Sequence, residues 1–271
     1  MFPAFLASWT KLRRPALLWG TYGALATLSA LITTLIFANA GQTAVTATRG
    51  GPSGPPGQGT TTLATLSGSN GLLTGLSSSV MLIGVVALCV AASQVAGEYS
   101  QGTLRTLLIR RPQRLELLGG TWAALMTFMV GAVAVAAVAS GVVALIAAQM
   151  RGIDTTAWFS GDGVTTSLKT LGEVALAIAG YTTLGAALGS ILRAPVVAVA
   201  VAIGWLLPIE QILSSVIDGS GRWLPGQLLT AIASGGTATV ALGAAVMTTV
   251  AYLAVAMGTA GLLFKRRDVT A

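Results

Sequence analysis

Apolar and polar positions fall into long blocks along this chain rather than into short alternations. Six blocks of roughly twenty residues carry almost no charge and are separated by short polar or glycine-rich stretches. About 18 such residues mark a membrane-spanning helix, because a rise of 1.5 Å per residue takes ~20 of them across a ~30 Å hydrocarbon core. The blocks predict spans over 16–37, 72–92, 122–148, 167–192, 195–213 and 238–264. The third, fourth and sixth exceed the minimum, so they tilt or protrude. The expected fold is an all-α integral membrane protein, one transmembrane domain over residues 1–271.

The remaining stretches have patterns of their own. In MFPAFLASWTKLRR, Phe2, Phe5, Leu6, Trp9 and Leu12 share one side at helical spacing. This predicts an interfacial amphipathic helix over 1–14, with Pro15 opening the first span at a position where a missing N–H costs nothing. The start also mimics a secretory leader ending in Ala38-Asn39-Ala40. Its apolar run is too long for that, since a leader core has about 7–15 residues, and it reads as a retained span. Between 38 and 71, RGGPSGPPGQGTTT offers little to bury and reads as a flexible tether. The stretch 214–236 is too apolar for a free loop and too broken by Gly219, Gly221 and Pro225 for a span. It predicts a re-entrant or interfacial helical hairpin.

Composition agrees with this picture and removes some chemistry. Mean hydropathy is +0.81, and charged residues make up 8% of the chain, where a soluble protein has about a quarter. There is no histidine, which removes His-based triads, zinc sites of the HExxH type and histidine proton relays. The single cysteine, Cys89, reads as a small apolar residue in a span. The net charge of +7 fits cytoplasmic loops held against an anionic leaflet and calls for no nucleic acid. Eleven of the 15 basic residues, from Lys11, Arg13 and Arg14 through the 97–120 loop and Arg193 to Lys265, Arg266 and Arg267, fall on one side. That side is expected to be cytoplasmic and to hold both termini, in the cell (plasma) membrane.

The stretch GEYSQGTLRTLLIRRPQRLELLGG, 97–120, concentrates charge in an otherwise oily chain. Burying its four arginines at mid-bilayer would cost on the order of 10–14 kcal/mol on insertion scales, so it stays outside the lipid core. Leu104, Leu107 and Leu108 repeat at i, i+3, i+4 and make an apolar stripe on a short helix that Pro112 ends. A second helical piece, RLELL, leads to Gly119-Gly120 and the third span. A stripe beside arginines suits either an anionic leaflet or a groove on a soluble partner. The run Glu98 to Arg114 resembles the first cytoplasmic loop of ABC-2-type transporter permeases. Glu98, Gly102, Thr103, Leu107, Leu108, Pro112, Arg114 and Gly119 or Gly120 match that loop, while Thr121 stands where the family often has lysine.

The resemblance implies the membrane subunit of an ATP-driven exporter with a hydrophobic or amphiphilic cargo. It implies two partners: a separate ATP-binding cassette subunit seated on the loop, and a second permease copy or homologue that completes the pathway. Glu98, Gly102, Thr103, Leu104, Leu107, Leu108, Arg110, Pro112 and Arg114 would form the coupling surface. The chain holds no G-x-x-x-x-G-K-[ST] run, so any ATP must be bound by the partner and no cofactor is expected on this chain.

Few polar residues fall within spans. Glu173 has Lys169 one turn before it, the ordinary i, i+4 pair. Glu210 follows Pro208, and the two make a gating or pathway candidate: either a broken-helix site facing the pathway or a solvated helix end. Gly185-x-x-x-Gly189 is a small-residue face for helix packing, although such spacing arises by chance in a glycine-rich chain. Ser77, Ser78 and Ser79 read as bonding their own backbone. An enzyme is disfavoured by the missing histidines. The alternatives are an ion-driven secondary transporter, which calls for midplane charges or inverted repeats that this sequence lacks, and a non-transporting membrane scaffold.

Overall fold

The computed structural model describes residues 2–40, 63–100, 114–217, 219–237 and 239–266. Every regular element among them is helical. The chain begins with α1 (Phe2–Leu12) and α2 (Pro15–Asn39), followed by the short helices α3 (Leu63–Ser67) and α4 (Thr74–Ser78). Next come α5 (Val80–Ser100), α6 (Arg114–Met150), α7 (Gly161–Leu192) and α8 (Pro195–Gly204). A π-helical turn at Trp205–Ile209 leads into α9 (Glu210–Val216), and α10 (Pro225–Ala233) and α11 (Leu242–Arg266) complete the chain. Six helical stretches are long and apolar enough to cross a membrane: Pro15–Asn39, Val80–Ser100, Glu116–Met150, Gly161–Leu192, Pro195–Val216 and Leu242–Leu263. This is an all-α, multi-pass membrane protein.

Several boundaries differ from the sequence reading, each for a physical reason. The second span runs over 80–100 rather than 72–92. Its expected start is taken by a 3₁₀ turn at Gly71–Leu73 and by α4, which ends where the Ser79 hydroxyl donates to the Leu76 carbonyl. Its end lies beyond Ser93 because that hydroxyl donates to the Val90 carbonyl and so costs the helix little. The RLELL piece is no separate helix: α6 is continuous from Arg114 through Gly119-Gly120 to Met150. Of the stretch 97–120, residues 97–100 belong to α5 and 114–120 to α6. At 37 residues α6 is about 55 Å long, well beyond a ~30 Å core. The part of the 38–71 tether that the structure describes is packed, not slack: Leu66 is buried and its carbonyl accepts a 2.9 Å bond from the Trp158 indole.

The core is built by pairing helices through small and hydroxyl side chains. On α2 the buried positions Thr21, Leu25, Ser29, Thr33 and Phe37 repeat every four residues and face α6. Tyr22 donates to the Phe128 carbonyl (2.9 Å) and Ser29 to the Ala136 carbonyl (3.0 Å), while Thr33 and Ser140 share a hydroxyl bond of 2.8 Å. These bonds satisfy polar groups that lipid would leave unpaired. Helices α5 and α7 pack closest, at the Gly185-x-x-x-Gly189 face. A Cβ at Gly185 would sit 2.3 Å from the Leu88 carbonyl oxygen, and one at Gly189 2.5 Å from that of Ala92. That spacing is therefore a packing face rather than chance. Helix α7 is central, with 67% of its apolar window buried, whereas α11 has 11%. Large apolar side chains, among them Trp19, Val138, Val196 and Met247, are left exposed on the outside of the bundle, as expected of a membrane protein.

A second small cluster joins Phe37 and Ala40 at the end of α2 to Leu66, Ala144, Ala148 and Trp158. Arg151, at the end of α6, donates to the carbonyls of Ala38 and Ala40. Close by, the Thr156 backbone N–H and hydroxyl both donate to the Asp154 carboxylate, which holds that acid below its ordinary value.

Candidate functional site

The expected coupling helix, with Gly102, Thr103, Leu104, Leu107, Leu108, Arg110 and Pro112, lies outside the described residues. Arg114 begins α6, and Glu98 sits on the last turn of α5 instead of in the loop. The helices on either side of it, α5 at Glu98 and α6 at Thr121, are both bound by α1.

The sequence predicted an apolar side for α1 over Phe2, Phe5, Leu6, Trp9 and Leu12, facing the membrane. Phe5, Ser8, Trp9 and Leu12 instead make one helical face turned toward protein, with Leu12 and Ser8 buried and Leu6 left exposed. The rings of Phe5 and Trp9 stack at 5.9 Å, and the helix packs along α6. The i, i+3, i+4, i+7 spacing is the same; the partner is a helix rather than lipid. From this seat Ser8 bonds the Thr121 hydroxyl at 3.1 Å, on the helix the loop leads into. Lys11 Nζ lies 3.1 Å from Glu98 Oε1, on the helix the loop leaves.

A third tie was invisible in the sequence. Arg193 follows α7 in the left-handed region at φ 56° and is the sole described non-glycine residue with a positive φ. That turn carries its guanidinium over the Tyr99 ring, 5.1 Å from the centroid. Trp122 donates to the Thr183 hydroxyl at 3.1 Å, joining α6 to α7 on the same level. The roots of the loop are thus held by α1 and α7 through polar contacts at one end of the bundle. Thr121, which stands where the resembled family often has lysine, is one of the tied residues.

Pro208 and Glu210 lie on the fifth span, about 20 Å along it from its start at Pro195, and are not brought near Glu98. Pro208 sits inside the π-helical turn, where its missing N–H loosens the ladder. Glu210 is no solvated helix end, being 1% exposed. Its Oε1 accepts from the Trp205 indole at 2.8 Å and from the Gly226 backbone N–H at 3.1 Å. Gly226 is the second residue of α10, so the carboxyl group satisfies an N–H that helix geometry leaves unpaired. A Cβ at Gly226 would lie 2.5 Å from Glu210 Oε2, so only glycine allows the approach. Tyr181, buried on α7, donates to the Gly226 carbonyl at 3.1 Å. The broken stretch expected over 214–236 is accordingly a helical hairpin whose returning arm, α10, is buried against α7 and pinned by Glu210. Ser77 and Ser79 bond their own backbone as expected, and Lys169 lies 3.8 Å from Glu173.

No curated protein matches the chain. A family model described as a protein of unknown function (DUF2705) matches residues 26–270, from within the first span through the last. The chain belongs to the DUF2705 family.

Proposed function

We propose that this chain is the membrane permease of an ATP-driven exporter of the ABC-2 type, with hydrophobic or amphiphilic cargo. In this reading ATP is bound by a separate cassette subunit seated on residues 101–113. A second permease copy completes the pathway, and both termini lie on the cytoplasmic side of the plasma membrane. The observation that carries the reading is the fastening of both roots of the loop to one surface helix, by Lys11–Glu98 and Ser8–Thr121. A slack connector needs no such bracing. A lever does, because force applied to the loop moves the spans only if its ends cannot yield separately. With both roots tied to α1 and one tied to α7 through Tyr99 and Arg193, a push on the loop displaces α5, α6 and α7 together. The apolar stripe of Leu104, Leu107 and Leu108 would grip the partner, and the arginines would set register.

The test is co-purification from native membranes, with photo-crosslinked ATP analogue as the mark of a nucleotide-binding partner. Wild-type chain is expected to bring down a labelled ATPase. The double substitution Leu107→Asp with Leu108→Asp should lose it while leaving membrane insertion intact. Full retention of the ATPase by the double variant would remove 101–113 from the coupling role.

A further inference from the structure

The end of the bundle opposite α1 holds a cavity of about 460 Å³ between the 65–77 stretch, the first turns of α7 and the end of α10. That is within the usual range for a small-molecule site. Its lining is polar, and the bonding of that lining has a direction. Thr74 donates its hydroxyl proton to the Asn70 carbonyl, Ser77 to Thr74, and Ser234 to carbonyls of its own turn. A hydroxyl has one proton and two lone pairs, so each of these oxygens is left able only to accept. Glu173 adds a carboxylate to the same wall. Its Oε1 is sealed from solvent and has no hydrogen-bond partner among the described residues. Lys169, the nearest cation, stops 3.8 Å short, with 68% of its side chain exposed. Gly235, turned through φ 73° after α10, abuts the carboxylate where a side chain would crowd it. The Glu173 carboxylate is thus held by one long ion pair, which a cation entering the cavity can compete for.

We infer that this cavity binds a small polyhydroxylated primary amine, of amino-sugar chemistry, whose ammonium meets Glu173 and whose hydroxyls donate to Thr74, Ser77 and Ser234. Lys169 stands at the rim as the competing cation that the ligand displaces. An anionic ligand is disfavoured, because it would face the Glu173 carboxylate. The site belongs to the chain alone and does not depend on a nucleotide-binding partner.

The experiment is calorimetric titration of the purified full chain in nanodiscs with two matched probes, glucosamine and glucose. Glucosamine is expected to bind and glucose to bind at least roughly tenfold more weakly, because only the first supplies a charge-assisted bond. Glu173→Gln should weaken glucosamine by roughly tenfold or more. Lys169→Met, at a position whose side chain is 68% exposed, should tighten it by about threefold by removing the competing cation. Equal binding of the two sugars, no binding of glucosamine, or a loss of affinity in Lys169→Met would each overturn the inference. The Lys169 variant decides the sign of the ligand's charge even if Glu173→Gln misfolds. Failure here leaves the coupling proposal untouched, since that is read from ATPase capture at the other end of the molecule.

Discussion

Glu210 shows what a single carboxyl group can do inside an oily protein. Its cost in a span is offset because it meets two donors that would otherwise be unpaired, the Trp205 indole and the Gly226 N–H. Removing it leaves the buried Gly226 N–H without an acceptor, at about 1–3 kcal/mol, and takes the partner from the indole of Trp205, which is 42% exposed. Glu210→Ala is therefore expected to lower stability by roughly 2–4 kcal/mol. Glu210→Gln, which keeps an acceptor oxygen, should lose less than half of that. Unfolding of the detergent-solubilised chain measures both, and equal losses would mean the hydrogen bonds contribute little. The sequence pointed to this acid but left its setting open. Its partner Gly226 lies 16 residues on, and no local pattern announces a contact that depends on a hairpin folding back.

At the scale of elements, the six spans were legible because lipid imposes one rule: a helix must hide its backbone over ~30 Å with apolar side chains. The ends were less so. Ser93 looked like the edge of a span, yet its hydroxyl is satisfied within the helix and α5 runs seven residues further. The inward face of α2 also defied the soluble-protein pattern, because in a membrane the buried face is the one carrying Ser29 and Thr33. The Gly185–Gly189 contact gives a sharp comparison on a single helix. Gly185→Ala places a methyl against backbone at Leu88 and should cost about 1–3 kcal/mol. Gly172→Ala, where nothing lies within 4 Å, should instead gain about 0.5–1 kcal/mol from the helix backbone. Unfolding midpoints that shift in the same direction for both would separate close packing from α7 stability.

For the whole molecule, the charge pattern divided the sequence into ends, and the structure adds what ties one end together. The Lys11–Glu98 pair spans 87 residues of sequence, so nothing local could announce it; the stripe on α1 gave the helix but not its partner. The pair is partly exposed, at 38% and 17%, and deserves only the modest value of such bridges, about 0.5–1 kcal/mol. Lys11→Glu and Glu98→Lys should each lower the unfolding midpoint, and the double reversal should recover at least half of the summed loss. A double variant no better than the sum of its parts would show that the two charges do not act on one another. The chemistry of 101–113 was read from residues alone, and its arginines and leucines remain the most specific signal in the chain.

The small cluster around Trp158 has a consequence for how the chain is anchored. Arg151 holds the last carbonyls of α2, and the Trp158 indole holds Leu66. The described chain on either side of residues 41–62 is therefore held at one place, on the short link between α6 and α7. Loss of the indole or of the guanidinium would release one of these two ends while leaving the other berthed.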